Sequence, residues 1–219
     1  MTSTEPDLKA IAKRCHTRWD RYYVPAKLGT DPVYGAVASE LGGTTFPVLD
    51  IGCGIGLLAH YLRGLGQGMP VTGFDYDKRK ITSAIAMAKD LPGVGFSVGD
   101  ARKDLPAHQG HVVILDILQF FTLPEQELLL REAARRVAAG GKLIIRSALR
   151  DASWRYRVTV LGDWIAKGTT WMKAAPVAYP AAEQFRRVLS TEGLAVKVVP
   201  LWGGTPFNNH LITAERPGI

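Results

Sequence analysis

VLDIGCGIG, residues 48–56, sets three glycines at alternate positions directly behind a short apolar strand that carries an acid. Glycine loses more backbone freedom on folding than any other residue. A run this dense therefore marks a turn that needs left-handed dihedrals or a close backbone approach. A strand that ends in such a turn and feeds a helix brings its backbone to a ligand. The chain must then build a sheet with a βα junction at one of its ends.

The rest of the sequence supplies that sheet. Apolar runs at 48–51, 71–75, 94–100, 111–116, 142–147, 194–202 and 208–215 read as seven strands. Between the first five lie helical patterns. Residues 57–66 put Leu58, Tyr61, Leu62 and Leu65 on one face, and residues 78–91 put Ile81, Ala84, Ile85 and Ala88 in phase. Residues 124–137 open on a proline and are followed by AAGG. Residues 181–193 form the last helical pattern. Alternating strands and helices predict right-handed crossovers and a mostly parallel sheet covered on both faces. The short link between the last two strands holds Gly203, Gly204 and Pro206, so the seventh should run antiparallel. The expected class is a Rossmann-like α/β fold of seven strands, all within a single domain.

Two segments interrupt the alternation. Residues 1–45 form an N-terminal helical cap, in which DLKAIAKRCHTRWDRYYV has a helical pattern and Asp31-Pro32 reads as an N-cap followed by a first-turn proline. Residues 148–180 are too long for an ordinary connection and read as a lid-like insertion. Residues 46–147 are then the ligand-binding core, and 181–219 a helix and hairpin that complete it. The polar start MTSTEPDLKA has no apolar centre of a signal peptide, and no run of 18 apolar residues occurs. Cys15 and Cys53 form no CxxC pair, which fits a reduced, cytoplasmic setting. The net charge of +7 favours anionic partners.

The glycine spacing separates two ligand classes. A dinucleotide fingerprint is GxGxxG; here Gly52 and Gly54 fit, but Leu57 stands where its third glycine belongs. The run Asp50-x-Gly52-x-Gly54-x-Gly56 instead resembles motif I of the class I S-adenosylmethionine-dependent methyltransferases. Later motifs of that family follow in order over residues 46–216: GFDYD at the second strand, VGDA after the third, HVVILDILQFF at the fourth and VAAGGKLIIR leading into the fifth. More narrowly, RYYVPAKLGTDPVY (21–34) resembles methyltransferases of bacterial aryl-polyene and fatty-acid-like pathways. An NAD(P)-dependent oxidoreductase and a non-catalytic S-adenosylmethionine-binding module are the competing readings.

The resemblance implies a cofactor set. Gly52, Cys53, Gly54 and Gly56 would pass the methionine part of S-adenosylmethionine, with Asp50 near its ammonium end. Asp75 and Tyr76 would face the ribose, whose two hydroxyls a carboxylate can accept. Asp100 and Ala101 would meet the adenine, and Asp116 ends the fourth-strand motif. The plainer alternatives are a tight turn for the glycines, a helix cap for Asp75 and a turn residue for Asp100.

The acceptor side is less constrained. All five tryptophans lie outside residues 48–146, with Trp19 in the cap, Trp154, Trp164 and Trp171 in the insertion, and Trp202 after the sixth strand. They read as a lid over an apolar acceptor or as satellite cores. Tyr23, Gln119, Trp154, Trp202 and Asn208 are the substrate candidates. Methyl transfer rests mainly on alignment, with an optional general base. His210 and then His16 are the candidate bases, whereas His60 reads as a surface residue and His111 as distant. The absent N/D-P-P-Y/F motif, replaced here by DILQ, argues against methylation of nucleobase amino groups and leaves oxygen, carbon or other nitrogen acceptors open, with oxygen the expected atom. The expected partner is a hydrophobic free or carrier-bound acyl or aryl acceptor, with an acidic carrier protein or a membrane surface as docking partner, and not nucleic acid. No His/Cys/Asp/Glu spacing suggests a metal.

Overall fold

The computed structural model describes residues 5–168 and 176–218, the side chains of 163–168 excepted. Strand β1 (Val48–Ile51) is buried along its whole length and delivers the glycine junction into helix α4 (Leu57–Gly64). The chain divides into two compact units, 1–113 and 114–219.

The first unit holds α1 (Leu8–Lys13), α2 (Arg18–Thr30), α3 (Val33–Glu40), β1, α4, β2 (Val71–Asp75), α5 (Lys78–Met87), β3 (Val94–Val98) and most of β4 (His111–Leu115). β1, β2 and β3 pair in parallel, with Val48 opposite Val71 and Val71 opposite Val94. In the second unit a 3-10 turn (Leu118–Phe120) leads to α6 (Leu123–Arg135), β5 (Lys142–Ala148), α7 (Trp154–Gly168), α8 (Ala182–Thr191), β6 (Ala195–Pro200) and β7 (Asn209–Glu215). β7 runs antiparallel to both β5 and β6. The seven strands form one mixed sheet in the order β3-β2-β1-β4-β5-β7-β6, so the order reverses beside β1. That reversal is where open α/β sheets bind ligands, outside the strands' carboxyl ends.

Local chemistry explains the element boundaries. Thr122 and Glu125 form a capping box at α6, with Pro124 in its first turn. The core strands β4 and β5 are buried on both faces, with Val112, Val113, Ile114, Leu143, Ile144 and Ile145 fully enclosed. Each such side chain contributes about 1.5–3 kcal/mol of transfer free energy.

Four expectations need correction. The helical pattern of the cap is two helices rather than one, because Thr17 starts α2 anew by accepting from the Asp20 N–H at 3.0 Å. Asp31 does accept from the Val33 N–H at 3.1 Å, but Pro32 stands one place earlier than expected, at the N-cap of α3. Ile85 is 53% exposed, since the buried stripe of α5 is the narrow one of Ile81, Ala84, Met87 and Ala88. His60 is not on the surface: it is 2% exposed, because the first turns of α4 are buried all round, from Leu57 to His60.

The His60 Nε2 is buried without a hydrogen-bond partner. Burial, and then the nearby Arg14 charge, push its pKa down to about 4. An unfolded histidine binds its proton below about 6.5, so between those values the unfolded state carries more protons and stability falls as pH falls. The expected loss is roughly 3 kcal/mol between pH 7.5 and pH 4. Urea unfolding of the wild type and His60→Leu should show a wild-type-specific loss over this window; parallel pH profiles would contradict the assignment.

Candidate functional site

The first unit carries a backbone cradle. Gly52, Gly54 and Gly56 have φ of 78°, 58° and 79°, all in the left-handed region that β-carbons disfavour. Their reasons differ. A Cβ on Gly56 would stand 2.4 Å from the Phe96 ring, so this glycine lets the loop settle on β3. A Cβ on Gly54 would meet nothing within 4 Å, so this stretch of backbone faces open space. The Phe74 carbonyl accepts from the Gly52 and Cys53 N–H groups at 2.8 and 3.2 Å and anchors the loop to β2.

Asp75 closes the anchor. Its Oδ2 accepts from the Gly54 N–H at 3.0 Å, and its Oδ1 from the Asp77 N–H at 2.8 Å. Asp77 in turn caps α5 by accepting from the Arg79 N–H. The helix-cap alternative thus belongs to Asp77, and Asp75 clasps the loop. Each Asp75 oxygen keeps a second lone pair for a ligand hydroxyl. Tyr76, the next residue, is 57% exposed.

Asp50 is 3% exposed, and no basic side chain among the described residues pairs with it. Burial, and then the Asp75 charge, push its carboxyl up to about 7. Burial, and then the Asp50 and Asp75 charges, raise the Cys53 thiol well above its ordinary value and disfavour its thiolate. Its sulfur lies against the backbone of Gly73, where any Cβ would meet it at 2.8 Å. Asp100 accepts from the Arg102 N–H at 3.0 Å and opens a turn that contains Ala101. His16 is exposed in the break between α1 and α2, and Tyr23 is half-buried on α2.

The second unit carries a polar cluster of its own. Asp116 follows β4 at φ +59°, the one non-glycine residue with positive φ among the described residues. Such strain costs on the order of 1–3 kcal/mol and collects at functional positions. Two contacts hold it: the Asp116 N–H donates to the Arg146 carbonyl at 3.1 Å, and the Arg146 guanidinium pairs with its carboxylate. Arg146 was legible as the lone charge within the apolar run LIIRS, but its partner was not. Gln126, fully buried, was also missed. Its amide donates to the carbonyls of Leu118, Phe121 and Ala178. Gln119 accepts from the Val177 N–H through its backbone at 2.7 Å, while its side-chain oxygen is buried without a partner.

Asn208 is buried and knits the segment after β5 to α7 and β7. Its amide donates to the Leu149 carbonyl and to Asp151, both at 2.8 Å, and its N–H donates to Thr159. Burial pushes the Asp151 carboxyl up, but hydrogen bonds from Ser153 and Asn208, with the nearby His210, outweigh it and leave the pKa below the ordinary value. The His210 Nδ1 lies 3.1 Å from the Asn208 carbonyl. A carbonyl only accepts, so Nδ1 carries a proton, and the lone pair of the ring's neutral form lies on Nε2. Trp202 meets the His210 ring edge-on at 6.3 Å. Trp171 and the side chain of Trp164 lie outside the described residues. Among the described residues no three His, Cys, Asp or Glu side chains converge as metal ligands, and no helix is long and apolar enough to cross a membrane.

Residues 48–141 match the family described as "Methyltransferase domain". A ribosomal protein L11 methyltransferase of Methylobacillus flagellatus is 35% identical over 126 residues, which cover 56% of this chain and 40% of that protein. The chain thus spans less than half the length of this relative. Among solved structures, the magnesium protoporphyrin IX methyltransferase of Synechocystis with bound S-adenosylhomocysteine superposes at a TM-score of 0.66, with 18% identity and 92% and 89% of the two chains covered. An O-methyltransferase family protein of Burkholderia thailandensis superposes at 0.68, with 19% identity and coverage of 99% and 65%.

The buried charge yields a test. Folded Asp50 keeps its proton up to about pH 7, whereas unfolded aspartate releases it near 3.8, so stability falls as pH rises through this window. Asp50→Asn should stabilise the ligand-free protein at pH 8 by up to about 4 kcal/mol while weakening S-adenosylhomocysteine binding. Urea unfolding at pH 8 with parallel calorimetry checks both; a destabilised variant would contradict it.

Proposed function

We propose that this chain, with a methyltransferase domain at residues 48–141 on the Rossmann-like sheet of that fold, transfers the methyl group of S-adenosylmethionine to an oxygen of an apolar acyl or aryl acceptor. The observation that carries the reading is the open left-handed backbone at Gly54, held from behind by Asp75. The cradle fits the cofactor chemically. Open backbone suits its close approach, a buried carboxylate without a cation suits its ammonium group, and Asp75 has lone pairs left for ribose hydroxyls. When bound, the cofactor supplies an electrophilic methyl group on a sulfonium sulfur.

On the acceptor side, His210 takes the hydroxyl proton at Nε2, with its ring oriented by the Asn208 carbonyl. The O-methyltransferase name of a solved relative supports oxygen as the acceptor atom. The resemblance of residues 21–34 supports the acyl or aryl class. Lys9, Lys13 and Arg21, with Ala12 and Pro25, line a groove of about 460 Å³ on α1 and α2, whose charge supports docking of an acidic carrier.

Calorimetry with S-adenosylhomocysteine and NADH separates this reading from hydride transfer. Binding of the first and not the second is expected, and the reverse would overturn it. Asp75→Ala should weaken binding by roughly 1.5–3 kcal/mol through loss of hydrogen bonds to a charged group. Gly54→Val should abolish it, since a branched side chain fills the open space and is strained at this φ. Wild-type affinity in either folded variant would remove that residue from the cradle. His210→Ala should lower kcat by about 10²–10⁴-fold, with the affinity for S-adenosylhomocysteine unchanged.

A further inference from the structure

We propose that Arg155 reads an oxyanion, a carboxylate or a phosphate, on the methyl acceptor, and so restricts the substrate class to acids with an apolar body. The inference rests on the methyltransferase reading for the word acceptor, but its geometry lies wholly in the second unit. The Arg155 guanidinium carbon lies 4.8 Å from the centroid of the Trp154 ring and 4.3 Å from that of Trp202. Both are within cation–π range. Its Nη1 donates to the Thr205 carbonyl at 2.7 Å. A guanidinium has five N–H donors in a rigid fork, so most of this fork is uncommitted.

Arg131, Arg135, Arg136, Arg146 and Arg187 each pair with a carboxylate. Arg155 pairs with none among the described residues. Two indoles and a backbone carbonyl hold it in place instead, which lowers the entropy lost when an anion docks. A held and unneutralised guanidinium is the usual recognition group for planar oxyanions.

Its position beside His210 makes the anion part of the acceptor. Trp202 touches both groups: Arg155 lies over its ring, and the His210 ring meets it edge-on. One indole therefore links the anion-reading guanidinium to the His210 ring. The acceptor would then carry its oxyanion at Arg155 and its hydroxyl at His210 on one molecule. Trp154, 59% exposed, leaves apolar ring surface beside Arg155 for the body of such an acid. The hydroxyl proton goes to His210 Nε2, the new bond joins the acceptor oxygen to the methyl carbon, and the bond broken is the one from that carbon to the cofactor sulfur.

The test measures binding by equilibrium dialysis, with and without S-adenosylhomocysteine, for 4-hydroxybenzoate, 4-hydroxyphenyl phosphate and neutral methyl 4-hydroxybenzoate. At least one anion should bind about tenfold tighter than the ester, a difference of about 1.4 kcal/mol. Whichever anion leads identifies the oxyanion. Arg155→Met should erase that preference and Arg155→Lys should reduce it, with the affinity for S-adenosylhomocysteine unchanged in both. His210→Ala should keep the preference. Equal binding of ester and anions, no binding of any probe, or a preference that survives Arg155→Met would overturn the proposal. A wild type that prefers the anions but does not bind S-adenosylhomocysteine would overturn the methyltransferase reading and leave the anion site standing.

Discussion

The bond from the Gly54 N–H to the Asp75 carboxylate ties the glycine loop to the neighbouring strand, and the first unit is arranged around it. It requires Asp75 to end β2 level with the loop that ends β1. The parallel register, with Ile51 opposite Phe74, provides that level. A slip of one residue would turn Asp75 to the other face and break both the clasp and the burial pattern. The Phe74 carbonyl and the Phe96 ring fix the loop from the sheet side, which leaves Gly54 as the backbone presented outward.

That arrangement concentrates negative charge. Asp75 is compensated by two backbone N–H donors, whereas Asp50 lies buried beside it with no cation paired to it among the described residues. A core selected for stability alone would not keep such a group, because a buried carboxylate must find a partner or keep its proton. Its presence makes sense as one half of an ion pair whose other half arrives with the ligand. The ion-paired Asp116 after β4, at positive φ, is a second place where the chain bears a local cost.

Much of this was legible in the sequence because it is local. The glycine spacing marked the cradle, strand–helix alternation marked the sheet, and Gly203, Gly204 and Pro206 marked the antiparallel hairpin. What was not legible depends on contacts between distant residues. His60 has the charge capacity of a surface residue and a place on an amphipathic helix, yet neighbouring helices bury it. Ile85 is apolar and in phase, but the stripe that packs is narrower than the pattern allows. The Thr17 cap, within CHTRWD, was readable only once the helix was known to break there. Asp75 looked like a ligand carboxylate, and its first task, holding Gly54, required the strand register to see. Arg146 stands out as a lone charge in LIIRS and Arg155 directly follows Trp154, but Asp116 and Trp202 come from distant parts of the chain.

The central claim is that a buried, mostly protonated Asp50 receives the ammonium group of an S-adenosyl ligand. Calorimetry of S-adenosylhomocysteine binding at pH 6.5, in buffers of different ionisation enthalpy, counts the protons exchanged. With Asp50 titrating at about 7, wild-type binding should release about half a proton or more as the carboxyl ionises. Asp50→Asn should release none. Binding without proton release in the wild type, or equal release in both proteins, would contradict the account.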